Sequence, residues 1–521
     1  MNIVLFADQL WRTKLAIEIC KMLQVEINKS MATIVLTDYY TFQHARSEMQ
    51  NLISTHPNIE FLTLESYYLK WQSDHPKHVE SKIIDFEQWE EKNCKNRNFK
   101  DLLATDYYLN NFERAQFSLK TPSCCKNFIY SDIISWIESI FSTKVPDFVL
   151  FICNESFASN IAFELCENRK VNNLTLIPSR IGNAWLLSRT FGIGTDNVFQ
   201  REVGNYSMTN DDHLFIKKFE NDLISNGLGS YITWSNGAYV ESSNSTTSSH
   251  ALDTIPSFFK ETKKFFINIV NFAKQTYSNI FLDYRNLKYR PQILAENPYK
   301  VTYFQFRALI INTIRSLGFK FWGTDKIPNR DYYLWALHNR PEGSTLVLGQ
   351  GIDEIELLNR VAERIPGDTV LAVKENPLMF GYRARRFYSN LKKNKKIILI
   401  DSWSTNSPLI ANSRGTIGLS GTILLESLAF RKPSLAFGLP EFSSILPYKG
   451  WKDLDEFFNF SLSGKNLSKR QVDYFKSYVC FIKNNSENNG IKQFSSLETF
   501  EAKKFISWVA SKIAEYLNLI D

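Results

Sequence analysis

Three consecutive residues, Ser420, Gly421 and Thr422, lie between an apolar strand pattern and an apolar helix pattern in the C-terminal half of the chain. The first amides of a helix lack intrahelical partners and carry partial positive charge, glycine lets a ligand approach the backbone, and hydroxyls add donors. This turn could therefore hold a phosphate group. Glu426 lies on the same helical face as Thr422, where it could accept hydrogen bonds from a ribose diol. An ordinary helix cap with a solvated glutamate is the alternative.

A predicted strand at residues 369–373 ends in three polar residues that could contact a ligand. Lys374, Glu375 and Asn376 follow it directly, and polar residues just after strands collect at the edge where open parallel sheets bind ligands. Lys374 could neutralise a diphosphate as a point charge, and a surface ion pair is the alternative. Arg383 begins the next predicted helix and could reach the same anion. Its alternative is a solvated basic face.

His338 ends a second apolar strand pattern, at residues 331–337, and Glu342 follows shortly after it. A histidine with a nearby carboxylate can perform general acid–base chemistry or hold a substrate hydroxyl. Taken alone, His338 also fits a structural role. The pattern makes His338 and Glu342 the candidate catalytic pair.

Other familiar site types are absent from the sequence. It contains no complete GxGxxG motif, since the run at 192–194 lacks the third glycine, and no GxxxxGK[ST] phosphate loop. The Asp453-Leu-Asp455 segment follows a turn rather than a core strand and is interpreted as a helix start. We therefore predict no nicotinamide or other cofactor and no resident metal ion.

Composition and charge bound the class of protein. The 521 residues are 44% hydrophobic and 22% charged, which is ordinary for a soluble globular chain of two or three domains. The net charge of +7 suits anionic ligands or an anionic membrane surface but is too diffuse to indicate nucleic acid. The seven cysteines include no CxxC pair, and the N-terminal residues have the pattern of a strand rather than a signal peptide. No apolar run has transmembrane length. These features predict a cytoplasmic protein.

Strand and helix patterns alternate in both halves of the chain and predict parallel sheets covered by helices. We place the domain boundaries at 1–225, 226–330, 331–450 and 451–521. The second segment joins a Ser-rich loop to a basic amphipathic pattern over 260–290, which favours either packing on the core or contact with an anionic membrane surface. The last segment is predicted to be mostly helical.

Three segments of the C-terminal half resemble bacterial capsule and surface-polysaccharide biosynthesis proteins. Residues 336–345 (ALHNRPEGST) look like the ALHxxPE-x-[ST]T segment of that family, and residues 365–377 (IPGDTVLAVKENP) look like its lP…VKEHP segment. Residues 419–438 resemble its tGTaglEAl..GKPvl.FG segment. Two positions depart from the pattern, because Asn376 replaces the usual histidine and Arg431 replaces the glycine of GKP.

The resemblance implies a GT-B-type glycosyltransferase, an α/β protein with two facing Rossmann-like domains, a helical insertion and C-terminal helices that cross back onto the first domain. A nucleotide-sugar donor, with CMP-linked sugars among the options, would bind the second domain with its phosphate at Ser420–Thr422 and Lys374. The first domain would bind a glycan or lipid-linked glycan acceptor. Asp8, Glu155 and Arg180 follow strands there and are the candidate acceptor-side residues.

Two other functional classes remain open. A sugar-nucleotide epimerase or hydrolase could use the same two-domain cleft. A non-catalytic polysaccharide assembly partner is the second, because Asn376 keeps hydrogen-bonding capacity but cannot carry charge. The favoured function is a metal-independent glycosyltransferase of capsule or lipopolysaccharide-type glycan assembly, in the cytoplasm or at the inner face of the cell membrane.

Overall fold

The computed structural model describes most of both predicted α/β regions. The predicted Ser-rich loop and most of the basic pattern at 260–290 fall outside the described residues. Among the described residues, no helix combines the length and the apolar character needed to cross a membrane. The described residues are 1–7, 10–26, 31–37, 46–63, 84–94, 102, 123–152, 156–181, 184–191, 196–226, 270, 273, 306–307, 310, 323–324, 326–338, 349, 352–376, 379, 383, 386–402, 404–488, 497 and 500–518.

Strands alternate with helices along the described chain. The strands are β1 (Asn2–Ala7), β2 (Met31–Leu36), β3 (Glu60–Thr63), β4 (Phe148–Phe151), β5 (Asn172–Pro178), β6 (Ala184–Ser188), β7 (Tyr332–Ala336), β8 (Val370–Lys374), β9 (Ile397–Ile400), β10 (Gly415–Gly418), β11 (Ser434–Ala436), β12 (Tyr448–Lys449) and β13 (Glu487–Asn488). The α-helices are α1 (Leu10–Glu26), α2 (Arg46–Thr55), α3 (Phe86–Asn93), α4 (Ser123–Lys144), α5 (Phe157–Arg169), α6 (Asn197–Gly204), α7 (Asn210–Asn226), α8 (Glu354–Arg364), α9 (Phe387–Leu391), α10 (Asn406–Asn412), α11 (Ile423–Ala429), α12 (Leu454–Leu462), α13 (Lys469–Asn485) and α14 (Phe500–Asn518). Short 3-10 helices lie at Ser443–Ile445 and Trp451–Asp453.

The described strands form two sheets built on parallel pairs. The N-terminal sheet has seven strands in the order β13-β6-β5-β4-β1-β2-β3, of which β5–β6 and β6–β13 are antiparallel pairs. The C-terminal sheet has six strands in the order β12-β11-β10-β7-β8-β9, and all of its pairs are parallel. The predicted fold class, an α/β protein with two Rossmann-like domains, is confirmed.

Apolar side chains on both faces of each sheet form the cores. In the N-terminal sheet, Phe6 belongs to one buried cluster and its neighbour Leu5 to another. In the C-terminal sheet, the neighbours Leu334 and Tyr333 also belong to two different buried clusters. Successive strand residues point to opposite faces, and a parallel sheet covered by helices buries both. This burial explains the near-continuous apolar runs of the sequence.

The C-terminal helix crosses back to the N-terminal domain, as the family resemblance implies. Phe505 and Val509 of α14 lie in the same buried cluster as Leu15 of α1. Just before this helix, β13 pairs antiparallel with β6, with Glu487 opposite Trp185. The end of the chain therefore ties itself to the sheet formed by its beginning.

Helices α6 and α7 pack against the C-terminal domain, although the predicted boundary at 225 groups them with the N-terminal one. Phe199 and Phe219 share a buried cluster with Leu424 of α11. Arg431 donates from Nη2 to Oε1 of Glu220 on α7 at 3.1 Å. Arg431, just beyond the end of α11, has a left-handed φ of 59°, a conformation that favours glycine, and its side chain adds this contact with α7.

Candidate functional site

The C-terminal sheet reverses its strand order between β10 and β7. The chain runs from β7 through β8 to β9 on one side and then places β10 and β11 on the other side of β7. In open parallel sheets, ligands bind in the crevice outside the carboxyl ends of the strands at such a switch point. His338 lies just beyond the end of β7 and Ser420 just beyond the end of β10. The structure therefore brings these two predicted site residues together.

The His338 ring faces the turn after β10 at close range. Its Nε2 lies 3.4 Å from the Oγ of Ser420, and both residues are buried. A Cβ placed on Gly421 would lie 3.3 Å from Nε2, so glycine leaves the room that the ring needs. Gly421 and Thr422 are partly exposed and precede the short helix α11, whose N–H groups at Leu424 and Leu425 donate to the carbonyls of Gly421 and Thr422. The turn thus presents amide and hydroxyl donors beside an imidazole nitrogen.

Glu354, the first residue of α8, contacts the other side of the His338 ring. Its Oε1 lies 2.7 Å from Nδ1 of His338. The same oxygen accepts a hydrogen bond from the indole Nε1 of Trp335 at 3.2 Å. Sequence reasoning missed Glu354, because an acidic residue in the first turn of a helix, after the Asp353 N-cap, is typical of a simple interaction with the helix dipole.

Glu375 and Arg383 form a buried ion pair. Arg383 donates from Nε to Oε2 and from Nη2 to Oε1 of Glu375, each at 2.8 Å, and Tyr388 donates its hydroxyl to Oε2 at 2.9 Å. Nη2 also donates to the His338 carbonyl at 3.0 Å, and the Asn376 N–H donates to Oε1 of Glu375 at 2.7 Å. The sequence predicts Glu375 and Arg383 as donor contacts. The structure places their charged groups inside the protein, where they join the loops that follow β7 and β8.

Lys374 and Glu426, which the sequence predicts as contacts of one ligand, share Asn406 as a hydrogen-bond partner. Nζ of Lys374 donates to Oδ1 of Asn406 at 2.6 Å. Nδ2 of Asn406 donates to Oε2 of Glu426 at 3.3 Å. Asn406 begins α10, and sequence reasoning missed it because an amide at a helix start is common. The amide links the end of β8 to α11.

Burial perturbs both charged groups of this set. It lowers the pKa of Lys374 to about 8, against the opposing influence of the Glu426 and Asp401 carboxylates. It also raises the pKa of the Glu426 carboxyl, against the hydrogen bond from Asn406 and the charge of Lys374. Buried charges that are incompletely compensated mark a candidate functional site.

The predicted acceptor-side residues fall mostly outside the described part of the chain. Asp8, Glu155 and the predicted catalytic residue Glu342 all lie outside it. The strands that Asp8 and Glu155 follow, β1 and β4, are adjacent where the N-terminal sheet reverses its strand order. Arg180 follows β5 with a left-handed φ of 62°. Its Nε donates to Oε1 of Glu441 at 3.0 Å, which places Arg180 in a contact between the two domains.

Two observations on the described residues concern metal binding. There, no group of three or more His, Cys, Asp or Glu side chains is arranged to hold a metal ion. Asp453 directly precedes α12 and accepts a hydrogen bond from the Lys449 N–H at 2.7 Å. It lies at a helix start, as the sequence predicts. Activity without a metal ion stays a prediction.

Comparison with known proteins adds little to this geometry. No protein-family model matches the chain, and no curated protein sequence matches it. Among solved structures, UDP-GlcNAc 2-epimerase from Neisseria meningitidis is similar at 12% identity and a TM-score of 0.22, covering 99% of each chain. A glycosyltransferase from Rickettsia africae is similar at 12% identity and a TM-score of 0.24, covering 98% of each chain. The lipopolysaccharide outer core galactosyltransferase WaaB is similar at 10% identity and a TM-score of 0.27, covering 99% of this chain and 100% of its own. These values are too low to bear on activity.

Proposed function

We propose that the protein is a glycosyltransferase that binds a nucleotide-sugar donor at the switch point of its C-terminal sheet. The observation that carries this proposal is the meeting of the His338 ring with the Ser420–Thr422 turn outside the ends of β7 and β10. The phosphate groups of the donor are anions, and the turn offers them backbone N–H groups and two hydroxyls.

Lys374 and Glu426 would act beside the phosphate. We propose that the lysine offsets the negative charge of the donor, and that the depressed pKa of Lys374 rises when the anion arrives. Glu426 is proposed to accept hydrogen bonds from the ribose diol, since a carboxylate can accept several donors beyond the 3.3 Å contact from Asn406. Asn376 is proposed to contact donor phosphate or sugar from the loop after β8.

The acceptor that we propose is a growing surface glycan of the capsule or lipopolysaccharide type, free or lipid-linked, reached from the inner face of the cell membrane. Support comes from the three segments that resemble surface-polysaccharide biosynthesis proteins. The same resemblance supports a CMP-linked donor as one option and chemistry by His338 or Glu342. Asp8, Glu155 and Arg180 would line the acceptor side.

A thermal-shift screen against UDP-, GDP- and CMP-sugars tests donor binding, because a ligand of the folded state raises its Tm by mass action. Gly421→Ala should abolish the rise, since its methyl would lie 3.3 Å from His338 Nε2 and narrow the crevice. Gly418→Ala is the matched control, since its methyl would meet Leu424 at an ordinary 3.8 Å. A wild-type protein whose Tm no nucleotide-sugar raises would contradict the proposal.

Turnover separates the transferase from the other classes. Transfer of sugar to a glycan acceptor, with nucleotide released in step, supports the proposal. Nucleotide release without acceptor would indicate a hydrolase, and conversion of the sugar while it is still linked to nucleotide would indicate an epimerase. Binding without turnover on any acceptor would indicate a non-catalytic assembly partner, the class that Asn376 in place of histidine favours.

A further inference from the structure

We infer that Glu354 is a positioning residue that fixes the tautomer of His338, so that Nε2 is the nitrogen that contacts the ligand. This inference rests on the proposed function for the class of ligand, a nucleotide-sugar. The tautomer itself can be measured without any ligand. Glu354 does not touch the crevice side of the ring, so it acts through His338.

The contacts of Glu354 leave its carboxylate little freedom. It is fully buried, and its oxygens lie 3.3 Å from the His338 backbone nitrogen in addition to the ring contact of 2.7 Å. The Trp335 indole donates to it as well. An ionised carboxylate only accepts hydrogen bonds, so Nδ1 of His338 must carry the proton of the 2.7 Å contact. In a neutral ring, Nε2 then carries none.

The other side of the ring points to the turn that we assign to the donor phosphate. Nε2 lies 3.4 Å from Ser420 Oγ, and a Cβ on Gly421 would lie only 3.3 Å from it. Among the residues that the structure describes, charged groups that contact the His338 segment include Glu354 and Arg383, which binds the His338 carbonyl and pairs with Glu375. With Nδ1 committed to Glu354, the ring is oriented, and Nε2 of the neutral ring is the nitrogen that can accept a hydrogen bond or a proton from a hydroxyl of the ligand.

Nitrogen-15 NMR of the ligand-free protein, labelled at histidine, tests the tautomer directly. His338 is assigned from the signal that His338→Gln removes, at a pH at which the ring is neutral. The expected wild-type form carries its proton on Nδ1, whereas a histidine side chain in water prefers it on Nε2. In Glu354→Gln, the new amide can donate to Nδ1, so the proton should move to Nε2. A wild-type ring with its proton on Nε2 overturns the inference whether or not any variant folds.

Binding then tests the link to the ligand, with UDP-N-acetylglucosamine, GDP-mannose and CMP-N-acetylneuraminate as probes. Glu354→Gln should weaken binding of the probe that wild type binds by about tenfold, because Nε2 would then carry the proton and could no longer accept a hydrogen bond from a hydroxyl of the ligand. Glu356→Gln is the matched control, because Glu356 lies on the same helix with its side chain 69% exposed. Unchanged binding in a variant whose tautomer has moved overturns the assignment of Nε2. Failure of every probe to bind wild type overturns the proposed function instead and leaves the tautomer result standing.

Discussion

Lys374 and Glu375 are neighbours in sequence at the end of β8, yet only the charge of Glu375 is paired with an opposite charge of a described residue. Glu375 accepts two hydrogen bonds from Arg383 and one from Tyr388, so its charge is compensated by a side chain that does not deprotonate. Lys374 contacts an uncharged amide, that of Asn406, at 2.6 Å, and burial lowers its pKa to about 8. Successive residues of an extended chain point to opposite sides. The side chains of Lys374 and Glu375 therefore meet different partners, and only Glu375 is well compensated.

Charged residues at this edge of the sheet fall into two groups, the paired residues Glu375 and Arg383 and the less compensated residues Lys374 and Glu426. The Glu375–Arg383 pair also holds the carbonyl of His338, so it fixes the loops from which the site is built. Lys374 is partly buried and Glu426 is buried, and the pKa of each is shifted toward its neutral form because its charge is less compensated. The pair therefore joins the loops of the site, and the binding role that we propose for Lys374 and Glu426 is what the variants below test.

Breaking the compensated pair should have the largest effect. Arg383→Met leaves Glu375 buried without its cation, which typically lowers the free energy of unfolding by about 3–5 kcal/mol. Denaturant titration followed by circular dichroism measures the loss. Arg414→Met is the matched control, because its ion pair with Asp331 is exposed at 37% and 52% and such pairs contribute about 0–1 kcal/mol. Equal losses in the two variants would remove the basis of the comparison.

Lys374→Met should separate binding from stability. Methionine has a similar reach and removes a cation that burial disfavours, so the free energy of unfolding at neutral pH should stay the same or rise. Affinity for the nucleotide-sugar should fall by about tenfold or more, because the phosphate loses a nearby cation. Calorimetric titration measures the affinity, with the exposed Lys392→Met as control. A variant that binds normally but unfolds easily would reverse the roles that we assign.

The pH dependence of stability tests the sign of each pKa shift. Lys374 has a pKa of about 8 in the folded protein against an ordinary 10.5. The unfolded chain binds more protons between these values, so the Lys374 contribution to the free energy of unfolding should rise with pH across that window. Subtracting Lys374→Met from wild type, in denaturant titrations from neutral pH to about pH 10.5, isolates this contribution. A flat difference would argue against a depressed pKa.

The contribution of Glu426 to the free energy of unfolding should change with pH in the opposite direction, and at lower pH. Its pKa is raised above the ordinary 4.5 in the folded protein, so here the folded chain binds more protons. Its contribution is therefore fully present below about pH 4.5 and is lost as the pH rises through the folded-state pKa. The difference between wild type and Glu426→Gln should fall with pH in that range, and a difference that rises would contradict the assigned direction.

Much of the fold and part of the candidate site follow from the sequence. Apolar runs that end in polar residues predict the strand ends at His338, Lys374 and Ser420, and the structure places all three at the carboxyl edge of one sheet. The site contacts of Glu354 and Asn406 were not predicted, because acidic and amide residues begin many helices for purely local reasons. Their partners lie in other elements, which a local pattern does not reveal.

The amino-acid sequence by itself determined the local conformations, the burial of the strands and the alternation of strand with helix, because hydrophobic periodicity and turn chemistry act over a few residues. Tertiary structure alone decided that β10 lies beside β7, which brings Ser420 to His338 across 82 positions of the chain. It also decided that Glu375 meets an arginine while Lys374 meets an amide. Strand order and the partners of a buried charge depend on how distant elements pack together, and periodicity carries no information about that.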